Sequence, residues 1–282
     1  MELFRTKSEV ALFRRSLRDS EKSLGLVPTM GALHRGHLEL VRRALSENQV
    51  AMVTIFVNPT QFNNPDDLAR YPRSLEADLA QLGGVSGDLV VFVPEVHEMY
   101  RDRVVSRPYD FDGLDAVMEG AHRPGHFDGV GTIVEALLGL ILPDRAYFGE
   151  KDYQQLQVIR KLVQKCGLPV EIVPCPIVRE ADGLAMSSRN ALLPPALRKK
   201  APFLHNCLQL AHTRFGTKSV AEIVQAVQEA FAAEPEFELE YFQIADAETL
   251  EPVRQKQKDR QYRAFVAASL GGVRLIDNIA LK

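Results

Sequence analysis

Between Leu24 and Val163, short apolar runs of strand length alternate with segments of helical period, and no other feature restricts the fold as much. Leu24-Gly25-Leu26-Val27, Val50 to Val57 (VAMVTIFV), Asp88 to Val93 (DLVVFV) and Ala146-Tyr147-Phe148 are rich in apolar and β-branched residues, as strands buried on both faces must be. The stretches between them repeat at helical spacing. Leu38, Val41 and Leu45 share one face, helix-like sequence surrounds Ser74 to Leu82, and Ile133, Val134, Leu137, Leu138 and Ile141 mark another helix. Tyr153, Leu156 and Val163 mark one more. This order predicts the α/β class: a Rossmann-like, doubly wound parallel sheet.

The pattern changes at Pro174-Cys175-Pro176, where prolines interrupt the run Val170 to Val178. A boundary there divides the chain into residues 1–176, a Rossmann-like domain, and residues 177–282, a smaller C-terminal α+β lid domain. In the second part Ser219 and Glu222 have capping-box spacing ahead of Val220, Ile223, Val224, Val227 and Phe231 on one stripe. Glu238 to Ile244, Tyr262 to Ser269 and Val273 to Ile276 read as antiparallel strands.

Composition excludes several classes of function. A net charge of −3 over 282 residues, with both signs interspersed, provides no basic field for nucleic acid or an anionic membrane. No apolar run reaches the roughly 18 residues of a membrane span, and Met1 to Lys7 carries charges where a secretory signal is apolar. The expectation is therefore a cytoplasmic protein with no nucleic-acid or membrane partner. Cys166, Cys175 and Cys207 lack the spacing of a zinc site or a disulfide framework and read as reduced packing residues.

Three clusters carry candidate chemistry. Pro28-Thr29-Met30-Gly31-Ala32-Leu33-His34-Arg35-Gly36-His37 lies between a predicted strand and helix, where unpaired amides and the helix dipole favour phosphate. Its two imidazoles face the same side if that turn is helical. Phe148-Gly149-Glu150-Lys151-Asp152-Tyr153-Gln154-Gln155 repeats the strand-glycine-helix arrangement. Here Lys151 can neutralise phosphate and Asp152 can accept from ribose hydroxyls. Gly183-Leu184-Ala185-Met186-Ser187-Ser188-Arg189-Asn190 places two hydroxyls and a guanidinium in a glycine-led loop able to clamp a triphosphate. Taken singly, each also reads as ordinary structure: surface histidines beside a turn, a charged first helical turn, a polar turn between domains.

Taken together, the clusters resemble the two signatures of the class I synthetase and nucleotidylyltransferase superfamily. His34 to His37 stand in the HIGH position and Met186 to Arg189 in the KMSKS position. The blocks Pro28 to His34, Phe56-Val57-Asn58-Pro59-Thr60-Gln61-Phe62, Arg123-Pro124-Gly125-His126-Phe127, Gly149 to Asp152 and Leu275-Ile276-Asp277-Asn278 look, in that order, like the pantothenate synthetase family. That resemblance implies ATP-dependent ligation of pantoate to β-alanine through pantoyl-adenylate, with Mg2+ accompanying ATP and a homodimeric enzyme. It assigns His34, His37, Lys151, Ser187, Ser188 and Arg189 to the phosphates, with His37, His34 and Lys151 as the catalytic set. It also assigns Met30, Gly31, Gly36, Gly149, Glu150, Asp152, Met186 and the main chain at Val178 to the nucleotide. Gln61, Gln155, Pro28, Met30 and Asn58 fall to pantoate, which makes residues 1–176 the nucleotide- and pantoate-binding domain; no protein metal ligand is assigned.

The amide pair suits a carboxylate that must react, since a salt bridge would over-stabilise its ground state. Arg123 and His126 are assigned to the β-alanine side or to a mobile loop. A nucleotidylyltransferase of the same superfamily is the alternative reading, and it calls for a more basic acceptor pocket. Two loops depart from the family pattern: Gly83 to Gly87 is glycine-rich, and Arg101 stands where proline is expected.

Overall fold

The computed structural model of the protein describes residues 1–281. The chain forms two compact units, one of Met1–Glu150 with Gln154–Pro176, the other of Lys151–Tyr153 with the residues from Ile177 onward. Three residues of the second unit are thus lent by a stretch of sequence that otherwise builds the first.

The first unit is a six-stranded, wholly parallel sheet of β1 (Glu2–Phe4), β2 (Leu24–Thr29), β3 (Val50–Ile55), β4 (Leu89–Phe92), β5 (Arg145–Gly149) and β6 (Glu171–Cys175), in the order β1-β4-β3-β2-β5-β6. Every residue of β3 and β4 is buried, which is why those runs are continuously apolar rather than alternating. Helices α1 (Lys7–Asp19), α2 (Arg35–Glu47), α3 (Leu75–Gly83), α4 (His126–Ile141) and α5 (Tyr153–Cys166) account for the long crossovers. α2 packs Val41 and Ala44 into the core, with Leu38 and Leu45 partly buried beside them, so the periodic face read from sequence is the face that docks.

The second unit carries the antiparallel sheet β7 (Phe237–Asp246), β8 (Tyr262–Leu270) and β9 (Val273–Leu281). Helices α6 (Phe203–Phe215) and α7 (Val220–Ala232) pack on it through Leu204, Leu208, Phe215, Ile223, Val227 and Phe231. Ser219 and Glu222 close the expected capping box. The fold class read from sequence, a doubly wound parallel sheet with a smaller α+β part, is the one observed.

Several details differ from the sequence reading. β9 runs on through Asp277 and Asn278 to Leu281, because both side chains are buried and paired rather than solvated. Cys175 and Cys207 pack inside, but Cys166, the last residue of α5, is exposed and is not a packing residue. Arg101 has φ 53° and donates its N–H to the His97 carbonyl at 2.8 Å, a conformation and a donor that proline lacks, so this loop takes its own path. Among the described residues no helix is long and apolar enough to cross a membrane.

One close approach positions the site. Near the start of α4 the backbone passes the turn Pro59–Gln61 so tightly that a Cβ on Gly129 would stand 2.3 Å from the Thr60 carbonyl oxygen. Gly129→Ala is therefore expected to cost about 1–3 kcal/mol of stability through overpacking, read as a lower urea midpoint at unchanged m-value.

Candidate active site

The strand order reverses at β2: the chain steps outward through β3 and β4, then returns to β2's other side with β5 and β6. Open α/β sheets bind ligands at the carboxyl ends of strands beside such a switch point. The segment leaving β2 is the histidine loop; β5 ends at Gly149 and the segment leaving it begins with Glu150.

The histidine loop takes a path that no strand or helix can satisfy, with Gly31 at φ 79° and Ala32 at φ 49°. Its amides are met instead by a buried carboxylate. Asp78 of α3, only 2% exposed, accepts from Ala32 N at 3.0 Å through one oxygen and from Leu33 N at 2.7 Å through the other. Gln81, one turn along, donates to the Leu33 carbonyl at 2.9 Å. A side chain at Gly31 would strike this clamp, its Cβ falling 2.9 Å from Asp78 Oδ2.

Held this way, the chain delivers His34 in extended conformation as the N-cap of α2, with His37 at the third helical position. The Gly36 N–H donates to His34 Nδ1 at 3.1 Å, and the His34 N–H lies 3.3 Å from His37 Nδ1. The rings stand 4.0 Å apart, centroid to centroid. An Nδ1 that accepts a hydrogen bond carries no proton, so each neutral ring holds its proton on Nε2, as a donor directed away from the cap. The two imidazoles thus form a matched donor pair at a helix N-terminus, a geometry suited to anionic oxygens.

Gln61 is built from three sides. Its backbone carbonyl accepts from His126 Nδ1 at 2.8 Å and from Arg123 at 3.2 Å, and the Arg123 guanidinium reaches His126 Nε2 at 3.3 Å. Its side-chain Oε1 accepts from Asn58 at 3.2 Å, and its Nε2 lies 2.8 Å from Met30 Sδ. Asn58, 1% exposed, also donates to the Gly129 carbonyl at 3.0 Å and accepts from Thr60 at 3.1 Å and from the Tyr100 hydroxyl. Burial pushes the Tyr100 pKa up, while Thr60 and Asn58 oppose it. Met30 and Gln61 therefore meet, with Asn58 behind them, its amide saturated. Pro28 lies on β2, half-buried.

Two adjacent glutamines separate into two roles. Gln154 is buried and fully used: it donates to Leu114 O at 2.7 Å and Val117 O at 2.8 Å and accepts from Glu119 N at 3.0 Å. Gln155 is half-buried and is not drawn into that lattice.

The second unit holds Lys151, Asp152, Val178, Met186, Ser187, Ser188 and Arg189. The Lys151 ammonium stands 3.6 Å from Asp152. Residues 178–186 form a short hairpin in which Met186 N donates to Val178 O at 2.9 Å and Arg179 bridges Ala185. The main-chain carbonyl of Val178 is thereby engaged within the hairpin. Ser187 then caps the turn Ser188–Leu192 through Arg189 N at 3.2 Å. Met186 to Arg189 are all half-buried.

A sequence model described as pantoate-beta-alanine ligase matches residues 2–280. The chain belongs to that family. Proteins named pantothenate synthetase from Christiangramia forsetii and Flavobacterium psychrophilum are 53% and 48% identical to it. The alignments span 100% of this chain in both cases, with 99% of the first relative and 100% of the second. A solved pantothenate synthetase structure from Thermus thermophilus superposes with TM-score 0.91 at 48% identity, covering 99% of both chains. A pantoate-beta-alanine ligase from Francisella tularensis, complexed with beta-gamma ATP and beta-alanine, superposes at 0.82 with 35% identity over 99% of this chain and 97% of that one.

In this ligase several supporting residues carried no motif. Asp78 was legible as a charge on the otherwise apolar stripe Leu75, Leu79 and Leu82, a place where a carboxylate must find donors. Tyr100 and Gln81 gave no such signal. Asp78→Asn keeps the shape but turns one acceptor into a donor facing a backbone N–H. It is expected to lower stability by about 1–3 kcal/mol and to weaken ATP binding, as read by urea unfolding and by calorimetric titration with a non-hydrolysable ATP analogue.

Proposed function

We propose that the enzyme ligates (R)-pantoate to β-alanine in two steps. A pantoate carboxylate oxygen attacks the α-phosphorus of ATP and displaces pyrophosphate, giving pantoyl-adenylate. The amine of β-alanine then attacks the acyl carbonyl, AMP leaves with the bonding electrons, and an amine proton is lost to give pantothenate. The observation that carries this reading is the family match across residues 2–280, and a structural relative complexed with an ATP species and beta-alanine supports it. The same match favours the ligase over a nucleotidylyltransferase.

In this proposal the candidate residues divide between nucleotide and pantoate. Gly36 and Gly149 let the nucleotide approach the backbone, Gly31 and Glu150 flank it, and His34 and His37 donate from Nε2 to phosphate oxygens. Positioning and charge neutralisation are most of what such a transfer demands, because a carboxylate is already a competent nucleophile at neutral pH. His37 donates to the leaving pyrophosphate. Gln61 and Gln155 hold the hydroxyls and carboxylate of pantoate, with Pro28 and Met30 against its dimethyl carbon, and Asn58 acts by orienting Gln61. Lys151, Ser187, Ser188 and Arg189 contribute positive charge and donors to the triphosphate, Met186 belongs with the nucleotide, and Asp152 with the main chain at Val178 serves the adenosine.

Magnesium belongs to this proposal as the counter-ion of the triphosphate, a role that phosphate oxygens and water fill without a protein cage. The candidate side chains fit the phosphates rather than the ion, and among the described residues no trio of His, Cys, Asp or Glu is grouped as a ligand shell. When bound, the ion neutralises charge on pyrophosphate as it leaves. A cytoplasmic homodimer completes the proposal. Its oligomeric state is read by light scattering.

Incubation with ATP, Mg2+ and pantoate is expected to release pyrophosphate, and AMP is expected only once β-alanine is added. AMP formation independent of either organic substrate would overturn the assignment. His37→Ala is expected to lower kcat about 100-fold, while the lost cap bond from the His34 N–H costs only about 1 kcal/mol of stability and leaves the enzyme folded. Gln155→Ala is expected to raise the KM for pantoate about tenfold while leaving that for ATP in place; equal shifts in both would make Gln155 merely structural.

A further inference from the structure

The block Leu275-Ile276-Asp277-Asn278 has no role in the chemistry above, yet it contains a buried amide whose oxygen and nitrogen are both engaged. Asn278 is 2% exposed and its side-chain Nδ2 donates to the Lys151 carbonyl at 2.9 Å. Its Oδ1 accepts from the guanidinium of Arg263, itself buried, on neighbouring β8. Arg263 stacks on the Tyr153 ring at 4.0 Å, and the Tyr153 hydroxyl donates to the Ala247 carbonyl at 3.0 Å. Lys151 and Tyr153 are thus tied at both ends to the sheet of the second unit.

The orientation of the Asn278 amide follows from its partners. Guanidinium only donates and a backbone carbonyl only accepts, so Oδ1 must face Arg263 and Nδ2 must face Lys151. Burying a guanidinium is costly unless its partners are fixed, and a merely structural tie between strand and turn needs no charge. What the charge adds is an amide that cannot flip, and so a fixed position for the Lys151 backbone.

We infer that Asn278, oriented by Arg263, is a positioning residue that fixes the Lys151 main chain so that its ammonium meets the triphosphate. This rests on the reading of Lys151 as a phosphate-neutralising residue. Asn278→Ala lowers kcat/KM for ATP about tenfold and leaves the KM for pantoate unchanged. Asn278→Asp keeps the size of the side chain and its acceptor for Arg263 but sets an oxygen against the Lys151 carbonyl. It produces the same ATP-specific loss in a protein that remains folded by circular dichroism.

The deciding experiment is a double-mutant cycle with Lys151→Ala. In that background Asn278→Ala is expected to cause no further loss in kcat/KM for ATP. Additive losses, or a folded Asn278→Asp enzyme with wild-type ATP kinetics, would overturn the positioning role and leave the reading of Lys151 standing. A Lys151→Ala enzyme with wild-type ATP kinetics would remove both.

Discussion

Two consecutive backbone amides, Ala32 and Leu33, are held by the two oxygens of one buried carboxylate, Asp78. A loop with positive φ at both Gly31 and Ala32 has amides that cannot join a sheet or a helix, and burying them without acceptors would cost more than the loop could recover. The carboxylate removes that penalty and sets the direction in which the chain enters α2. His34 therefore arrives in the extended geometry of a cap, and the pairing of the two imidazoles through their Nδ1 atoms follows. The donor character of both Nε2 atoms is a consequence of that cap rather than of any separate device.

The same economy governs the amides around the pantoate candidates. Gln154 uses its donors and acceptor on the protein's own backbone at Leu114, Val117 and Glu119, and Asn58 uses its own on the Gly129 carbonyl and the side chains of Gln61, Thr60 and Tyr100. Gln61 and Gln155 stand beside them with less of their capacity committed to main chain. A saturated amide makes a good strut and a poor ligand, because each hydrogen bond to substrate would have to replace one already made. In the second unit, Asp277 grips Arg179 through paired bonds of 2.6 and 3.0 Å, and Arg179 also reaches the Gly183 carbonyl at 3.0 Å, which braces the hairpin leading to Ser187 and Ser188.

Much of this was legible in the chain itself. The alternation of apolar runs and helical periods specified the parallel sheet, because only strands buried on both faces read as VAMVTI or LVVF. Two further helices are equally legible: α1, announced by the capping box of Thr6 and Glu9, and α6, with Leu204, Leu208, Ala211 and Phe215 at helical spacing. The sequence alone ends β9 at Ile276, because Asp277 and Asn278 look like the end of an apolar run. Of their partners, Arg179 and Lys151 lie 98 and 127 positions away in sequence and Arg263 lies on the neighbouring strand, and no local pattern announces them.

The sequence by itself determined which elements form, where the loops between them fall, and which residue types those loops carry: two imidazoles ahead of a helix, paired serines and an arginine after a hairpin, glutamines near the ends of strands. Only the tertiary structure decided which of those groups remain available for a substrate. Hydrogen-bonding capacity is finite, and whether Asn58 or Gln61, Gln154 or Gln155 has used it depends on carbonyls and amides roughly 35 to 71 positions away along the chain, brought close by packing alone.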